Sequence, residues 1–220
     1  MNIKFLLISL GKISHYILPS DIFDIINSLK NYLYTGWLTP KFMKNNGLIK
    51  YPLNYSNLDC ICIGKGSYTN PNARLLATKK WNGVQFTPQI VIGENCSIGS
   101  YAFISCCNKI IIGNNVAITA RTIIIDNTHG NFTEKDFTFE NGTSIPDVFF
   151  DTVKTRNLYS KGPVVIEDNV HIGEGCVILP GVKIGHNSVI AANTVVIKDI
   201  PPFSVVSGNP GRIMMTFGKS

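Results

Sequence analysis

Residues 166–201 read IEDNVH-IGEGCV-ILPGVK-IGHNSV-IAANTV-VIKDIP. An aliphatic residue opens each hexad: Ile166, Ile172, Ile178, Ile184, Ile190 and Val196. A small or apolar residue fills the fifth place: Val170, Cys176, Val182, Ser188, Thr194 and Ile200. A helix repeats every 3.6 residues and a half-buried strand every two, so neither gives this period. A parallel β-helix does, each hexad forming one short side of a coil whose stacked aliphatics fill a narrow core. One such hexad arises by chance; an unbroken run of them decides the fold.

The same register recurs upstream. Ile92, Ile98 and Ile104 open three hexads, and Ile112, Ile118 and Ile124 open three more, shifted by two residues across Asn108–Ile111. Val91-Ile92-Gly93, Ile111-Ile112-Gly113 and Val165-Ile166-Glu167 read as equivalent starts of successive coils, with Ile61-Cys62-Ile63-Gly64 as an earlier, frayed one. Between 64 and 90 the register is lost, although Gly64, Gly66 and Gly83 suggest turns. Residues 130–165 also break it. They are polar, contain Gly130, Gly142, Pro146 and Gly162, and read as a long excursion from the coil. Long loops on rigid scaffolds tend to be functional or disordered.

Residues 1–45 space Ile, Phe and Leu helically, which predicts two or three helices. Asp21–Tyr34 is the clearest, with Ser20 or Asp21 as N-cap. The apolar run Phe5–Leu10 is too short to span a bilayer, and no small-residue cleavage site follows it. A soluble cap is expected. Peripheral membrane contact is the lesser reading, through Lys4, Lys12, Lys30, Lys41 and Lys44. The expected organisation is a helical segment over 1–60, a β-helix over 61–212 and a tail over 213–220.

A chain of 220 residues suffices for one well-buried elongated domain. Its net charge of +6 suits an anionic ligand but is spread along the chain, with no basic run or motif for nucleic acid. The cysteines are Cys60, Cys62, Cys96, Cys106, Cys107 and Cys176. Cys96 and Cys176 take the inward place of a hexad, no C-x-x-C pair occurs, and reduced thiols in the cytoplasm are expected.

Ile110–Gly130, IIIGNNVAITARTIIIDNTHG, resembles the catalytic coil of the hexapeptide-repeat acetyltransferases. Ser160–Arg212 is similar to the C-terminal half of the same family, closest to bacterial enzymes that O-acetylate surface polysaccharides. Tyr34-Thr35-Gly36-Trp37 and Tyr51-Pro52-Leu53 extend the likeness more weakly. The resemblance implies a left-handed parallel β-helix, against the usual crossover hand. It also implies a homotrimer with active sites between subunits, acetyl-CoA as co-substrate, no metal and a carbohydrate acceptor.

On that resemblance His129 takes the general-base position, where an imidazole titrating near neutrality suits removal of a hydroxyl proton. Asp126 or Asn127 would orient its ring, or simply form the turn. His171, in Val170-His171-Ile172-Gly173, stands where the family has a Trp against the coenzyme; it packs there or is a plain surface residue. Ala191 and Ala192 match small residues along the pantetheine arm, or merely suit a tight corner. Lys198 and Arg212 match basic positions near the nucleotide phosphates. His15 and His186 receive no role. Cys106-Cys107 as an acyl-enzyme nucleophile is disfavoured, because no nearby histidine in sequence activates it. The rival readings are a smaller acceptor (serine, an amino sugar or an antibiotic), a zinc-dependent carbonic anhydrase and a non-catalytic scaffold. The anhydrase needs three converging imidazoles, which His129, His171 and His186 do not supply by spacing.

Overall fold

A computed structural model describes residues 21–130 and 156–218. Helix α1 (Asp21–Leu38) and a 3-10 turn (Thr39–Lys41) lead into a parallel β-helix. Its first coil holds β1 (Lys44–Asn45), β2 (Leu48–Ile49) and β3 (Asn54–Ser56); the second holds β4 (Ile61–Ile63), β5 (Tyr68–Thr69) and β6 (Arg74–Ala77). A hairpin of β7 (Lys80–Trp81) and β8 (Val84–Gln85) then leaves the coil. The third coil is β9 (Gln89–Ile92), β10 (Ser97–Ile98) and β11 (Phe103–Cys106). The fourth is β12 (Lys109–Ile112), β13 (Ala117–Ile118) and β14 (Ile123–Ile125).

Strands β15 (Thr128–His129) and β16 (Leu158–Tyr159) pair with each other outside the three sheets of the coil. The fifth coil is β17 (Val164–Ile166), β18 (His171–Ile172) and β19 (Val177–Ile178), and the sixth is β20 (Lys183–Ile184), β21 (Val189–Ile190) and β22 (Val195–Val196). Strands β23 (Ser204–Ser207) and β24 (Arg212–Thr216) close the end, the last turning antiparallel.

Three parallel sheets form the faces of a prism, each taking one strand per coil. The register stacks the hexad openers directly. Ile63, Ile92, Ile112, Ile166 and Ile184 form a column on the first face. Ile49, Thr69, Ile98, Ile118, Ile172, Ile190 and Val206 form one on the second. Leu75, Ile104, Ile124, Ile178 and Val196 form the third. All are 0–2% exposed, so these columns are the core. The fifth-place residues Val170, Cys176, Val182, Ser188, Thr194 and Ile200 are buried too.

Corners turn through a residue with positive φ, for which asparagine is the commonest choice: Asn95, Asn115, Asn169, Asn187 and Asn193. Its short polar side chain tolerates the left-handed region. Glycines at the corners admit the neighbouring coil. A Cβ on Gly99 would lie 2.3 Å from the carbonyl carbon of Thr119, and one on Gly173 would lie 2.5 Å from the Ala192 nitrogen.

Strands pair from Lys44 onward, so the coil begins inside the stretch expected to be a helical cap, ahead of residue 61. Residues 64–77 are not out of register either; the step breaks only at the hairpin that follows. Ile63, Thr69 and Leu75 keep the six-residue step, disguised by a threonine in the aliphatic column. At the other end β24 runs into the expected tail. Helix α1 reaches Leu38, beyond Tyr34. The Phe5–Leu10 run, the cap at Ser20 and most of the 130–165 excursion lie outside the described residues.

Helix α1 protects the open edge of the first coil. Thr35 Oγ1 accepts a hydrogen bond from the Ile49 N–H (2.9 Å) and reaches the Ile49 carbonyl at 3.1 Å, filling the place of a missing neighbour strand. The Tyr51 N–H donates to Asn31 Oδ1 at 2.9 Å, and the Tyr34 hydroxyl approaches the Leu53 backbone.

Candidate active site

The corner between the third and first faces of the fourth coil is where the chain departs from the prism. Asp126, fully buried, prepares that departure. Its Oδ1 accepts from the Cys107 N–H (2.9 Å) and Asn127 Nδ2 (2.8 Å), and its Oδ2 from the Asn108 N–H (2.8 Å) and the Cys106 thiol (3.1 Å). The carboxylate therefore fastens the exit of the fourth coil onto the corner of the third. Asn127 joins it and reaches the Ser105 carbonyl at 3.3 Å. Among the described residues, the hydrogen bonds of these two side chains run to the corner of the third coil and to each other.

This arrangement also bears on the adjacent thiols. Burial, with the Asp126 carboxylate next, pushes Cys107 up to about 12 and Cys106 higher still. Neither is a thiolate near neutrality, so the pair is a poor nucleophile.

Two residues on, Thr128 and His129 pair antiparallel with Tyr159 and Leu158, and the Gly130 N–H donates to the Asn157 carbonyl at 2.9 Å. This short ladder sets the backbone of His129 and leaves its side chain exposed. One ring meets it. The half-buried indole of Trp81 lies edge-on, with centroids 5.1 Å apart and planes at 65°. Trp81 comes from the β7–β8 hairpin. Its Nε1–H donates to the Arg156 carbonyl (2.9 Å), to which Asn82 Nδ2 also donates at 3.1 Å. The hairpin and the segment leading into β16 thus brace each other beside His129. The sequence reading had no role for Trp81. An aromatic in a two-strand insertion between coils was the available signal, and the loss of register there hid it.

The residues expected along the coenzyme lie elsewhere on the prism. His171 projects from the second face, between Ala117 and Val189 in the register, and is exposed. Half-buried Ala191 and exposed Ala192 form the corner between the second and third faces of the sixth coil. The segment leading to Arg212 runs along the same corner, where the Gly211 N–H donates to the Val195 carbonyl at 2.7 Å. Arg212 opens β24 opposite Ser207, and both it and Lys198 are exposed. Lys198 follows β22, at the corner of the third and first faces. Within one chain, His171, Ala191, Ala192 and Arg212 lie away from the edge that carries His129, and Lys198 shares that edge two coils further on. Among the described residues no cluster of three or more His, Cys, Asp or Glu side chains forms a metal site.

A parallel prism built from hexads, with a histidine exposed at the mouth of an insertion, defines a class before any comparison. Residues 163–198 match the family described as bacterial transferase hexapeptide (six repeats), and residues 89–120 match the hexapeptide repeat of succinyl-transferase. The putative lipopolysaccharide biosynthesis O-acetyl transferase WbbJ of Escherichia coli K12 is 31% identical over 180 residues, covering 82% of this chain and 84% of that protein. The chain belongs to the hexapeptide-repeat acetyltransferase family, and its prism is the left-handed β-helix of that family. Galactoside O-acetyltransferase of the same organism is 36% identical over 135 residues, 56% of this chain and 62% of that one. In fold, the chain is similar to AntD, an N-acyltransferase from Bacillus cereus crystallised with a dTDP-amino sugar and coenzyme A. That likeness has a TM-score of 0.63 at 20% identity and covers 84% of this chain and 90% of AntD.

Proposed function

We propose that the protein transfers acetyl from acetyl-CoA to a hydroxyl of a surface polysaccharide or its precursor, with His129 as general base. The observation that carries this reading is the exposed His129 imidazole, held by a backbone ladder and an indole at the mouth of the excursion. The likeness to a relative named for lipopolysaccharide O-acetylation, across most of both chains, supports the acceptor class.

In this mechanism His129 takes the proton from the sugar hydroxyl as its oxygen attacks the thioester carbonyl. Collapse of the tetrahedral intermediate expels the CoA thiolate and leaves an acetyl ester, with backbone N–H groups stabilising the oxyanion. Transfer is direct, which suits the protonated state of Cys106 and Cys107. His171, Ala191 and Ala192 would line the pantetheine arm, and Lys198 and Arg212 would meet the phosphates. His171, Ala191, Ala192 and Arg212 lie on another face and edge than His129 within one chain, as a site shared between neighbours requires, so we take the working form to be a homotrimer. Six free thiols fit the reducing cytoplasm.

The test is His129→Ala. It should lower acetyl transfer by roughly 10²–10⁴-fold while coenzyme affinity and oligomeric mass stay unchanged. Mass spectrometry of the acceptor follows the acetyl increment. Near-normal turnover would remove His129 from the mechanism.

A further inference from the structure

The docking of helix α1 is inverted. On a projection of about 100° per residue, Asn31, Tyr34, Thr35 and Leu38 share one side, and that side meets the coil. Thr35 bonds to Ile49, Asn31 bonds to Tyr51, and Leu38 is fully buried. The opposite side carries Ile26, Leu29, Leu33 and Trp37, flanked by Ile25 and Tyr32, each 55–67% exposed. A helix resting on a globular core ordinarily turns its apolar stripe inward. Here Asn31 and Thr35 supply the docking hydrogen bonds beside Tyr34 and Leu38, and the larger set of aliphatic and aromatic residues faces away.

The charge around this face is one-sided. Residues 25–58 contain Lys30, Lys41, Lys44 and Lys50 and no Asp or Glu. Asp24 projects onto the docking side of the helix, away from the apolar stripe. The lysines border aromatic rings. Lys41 Nζ lies 3.5 Å from the centroid of Trp37, Lys30 Nζ 5.2 Å from that of Tyr51, and Lys50 Nζ 4.6 Å from that of Tyr68. An apolar stripe rimmed by Trp, Tyr and Lys matches a bilayer interface, with acyl chains under the stripe, rings at the headgroup level and ammonium groups on lipid phosphates. No described helix is long and apolar enough to cross a membrane, so the helix would lie on the surface.

We infer that α1 is a membrane-surface element, which seats the N-terminal end of the β-helix on an anionic bilayer through Ile26, Leu29, Leu33 and Trp37. The inference stands apart from the proposed reaction, since it uses no residue of the candidate site.

The experiment is co-sedimentation of the full chain with vesicles of phosphatidylcholine, with and without phosphatidylglycerol, in the absence of acetyl-CoA and acceptor. The protein should pellet with the anionic vesicles and far less with the neutral ones. Ile26→Glu combined with Leu33→Glu should reduce the bound fraction by about tenfold or more, with transfer to a soluble acceptor as in wild type. Lys30→Glu combined with Lys41→Glu should weaken binding and flatten its salt dependence. Two results would overturn the inference. One is a wild-type protein that stays in the supernatant. The other is a double glutamate variant that binds vesicles normally but loses oligomeric mass or melts lower, which would assign the face to a second copy or to another part of this chain.

Discussion

Trp81 and Cys107 are the side chains whose surroundings make the sharpest demands. Trp81 touches His129 by its ring and Arg156 by its N–H, so its two functions separate by substitution. Trp81→Phe keeps an aromatic edge and should retain most of kcat. Trp81→Ala frees the imidazole and should lower kcat by about tenfold or more, because small misplacements of a reacting group are costly. The acetyl-CoA KM should hold in both. Steady-state kinetics with saturating acceptor read the split, and an effect confined to the acetyl-CoA KM would contradict the assignment. For Cys107 the folded thiol sits near 12 against an ordinary 9.0. Its protonated form is thus favoured by folding, and that contribution is complete below pH 9 and lost as pH rises towards 12. Urea midpoints should therefore fall above pH 9 more steeply in wild type than in Cys107→Ala.

At the level of the element, a coil tolerates whatever keeps its column filled. The six-step register of residues 166–201 was legible because every opener there is Ile or Val. The second coil was not, because Thr69 occupies the column with its Oγ1 buried and unpaired among the described residues. Thr69→Val has nearly the same shape and removes the stranded hydroxyl. It should stabilise the protein by about 1–2 kcal/mol, seen as a higher urea midpoint with the slope unchanged. The first coil was missed for a related reason. Ile49 is its one full column residue, and the edge is completed by Thr35 of the helix, a contact between residues far apart in sequence. The candidate site divides in the same way. His129 was readable from its local run, whereas Trp81 reaches it from another coil, and the Asp126 bonds to Cys107 and Asn108 exist only once two coils have stacked.

Across the molecule, the outward positions of the first face carry a second aliphatic row, Val91, Ile111 and Val165, in register and half-buried. A solvated face would alternate with polar residues there. Threefold packing in a closed ring would cover such a flank and bring His129 of one chain towards the Ala191–Ala192 corner of the next. Light scattering during gel filtration should report three chains. Ile111→Lys, placed mid-row, should shift the protein towards monomer and lower transfer in proportion. A monomer that remains fully active would contradict a shared site.

The clamp of Thr128 and His129 on Tyr159 and Leu158 carries an evolutionary consequence. Any sequence spliced between residues 130 and 157 enters and leaves through the same pair of anchors. On the proposed function, acceptor preference would then be exchangeable by grafting the corresponding stretch from a relative, with the histidine and the scaffold kept.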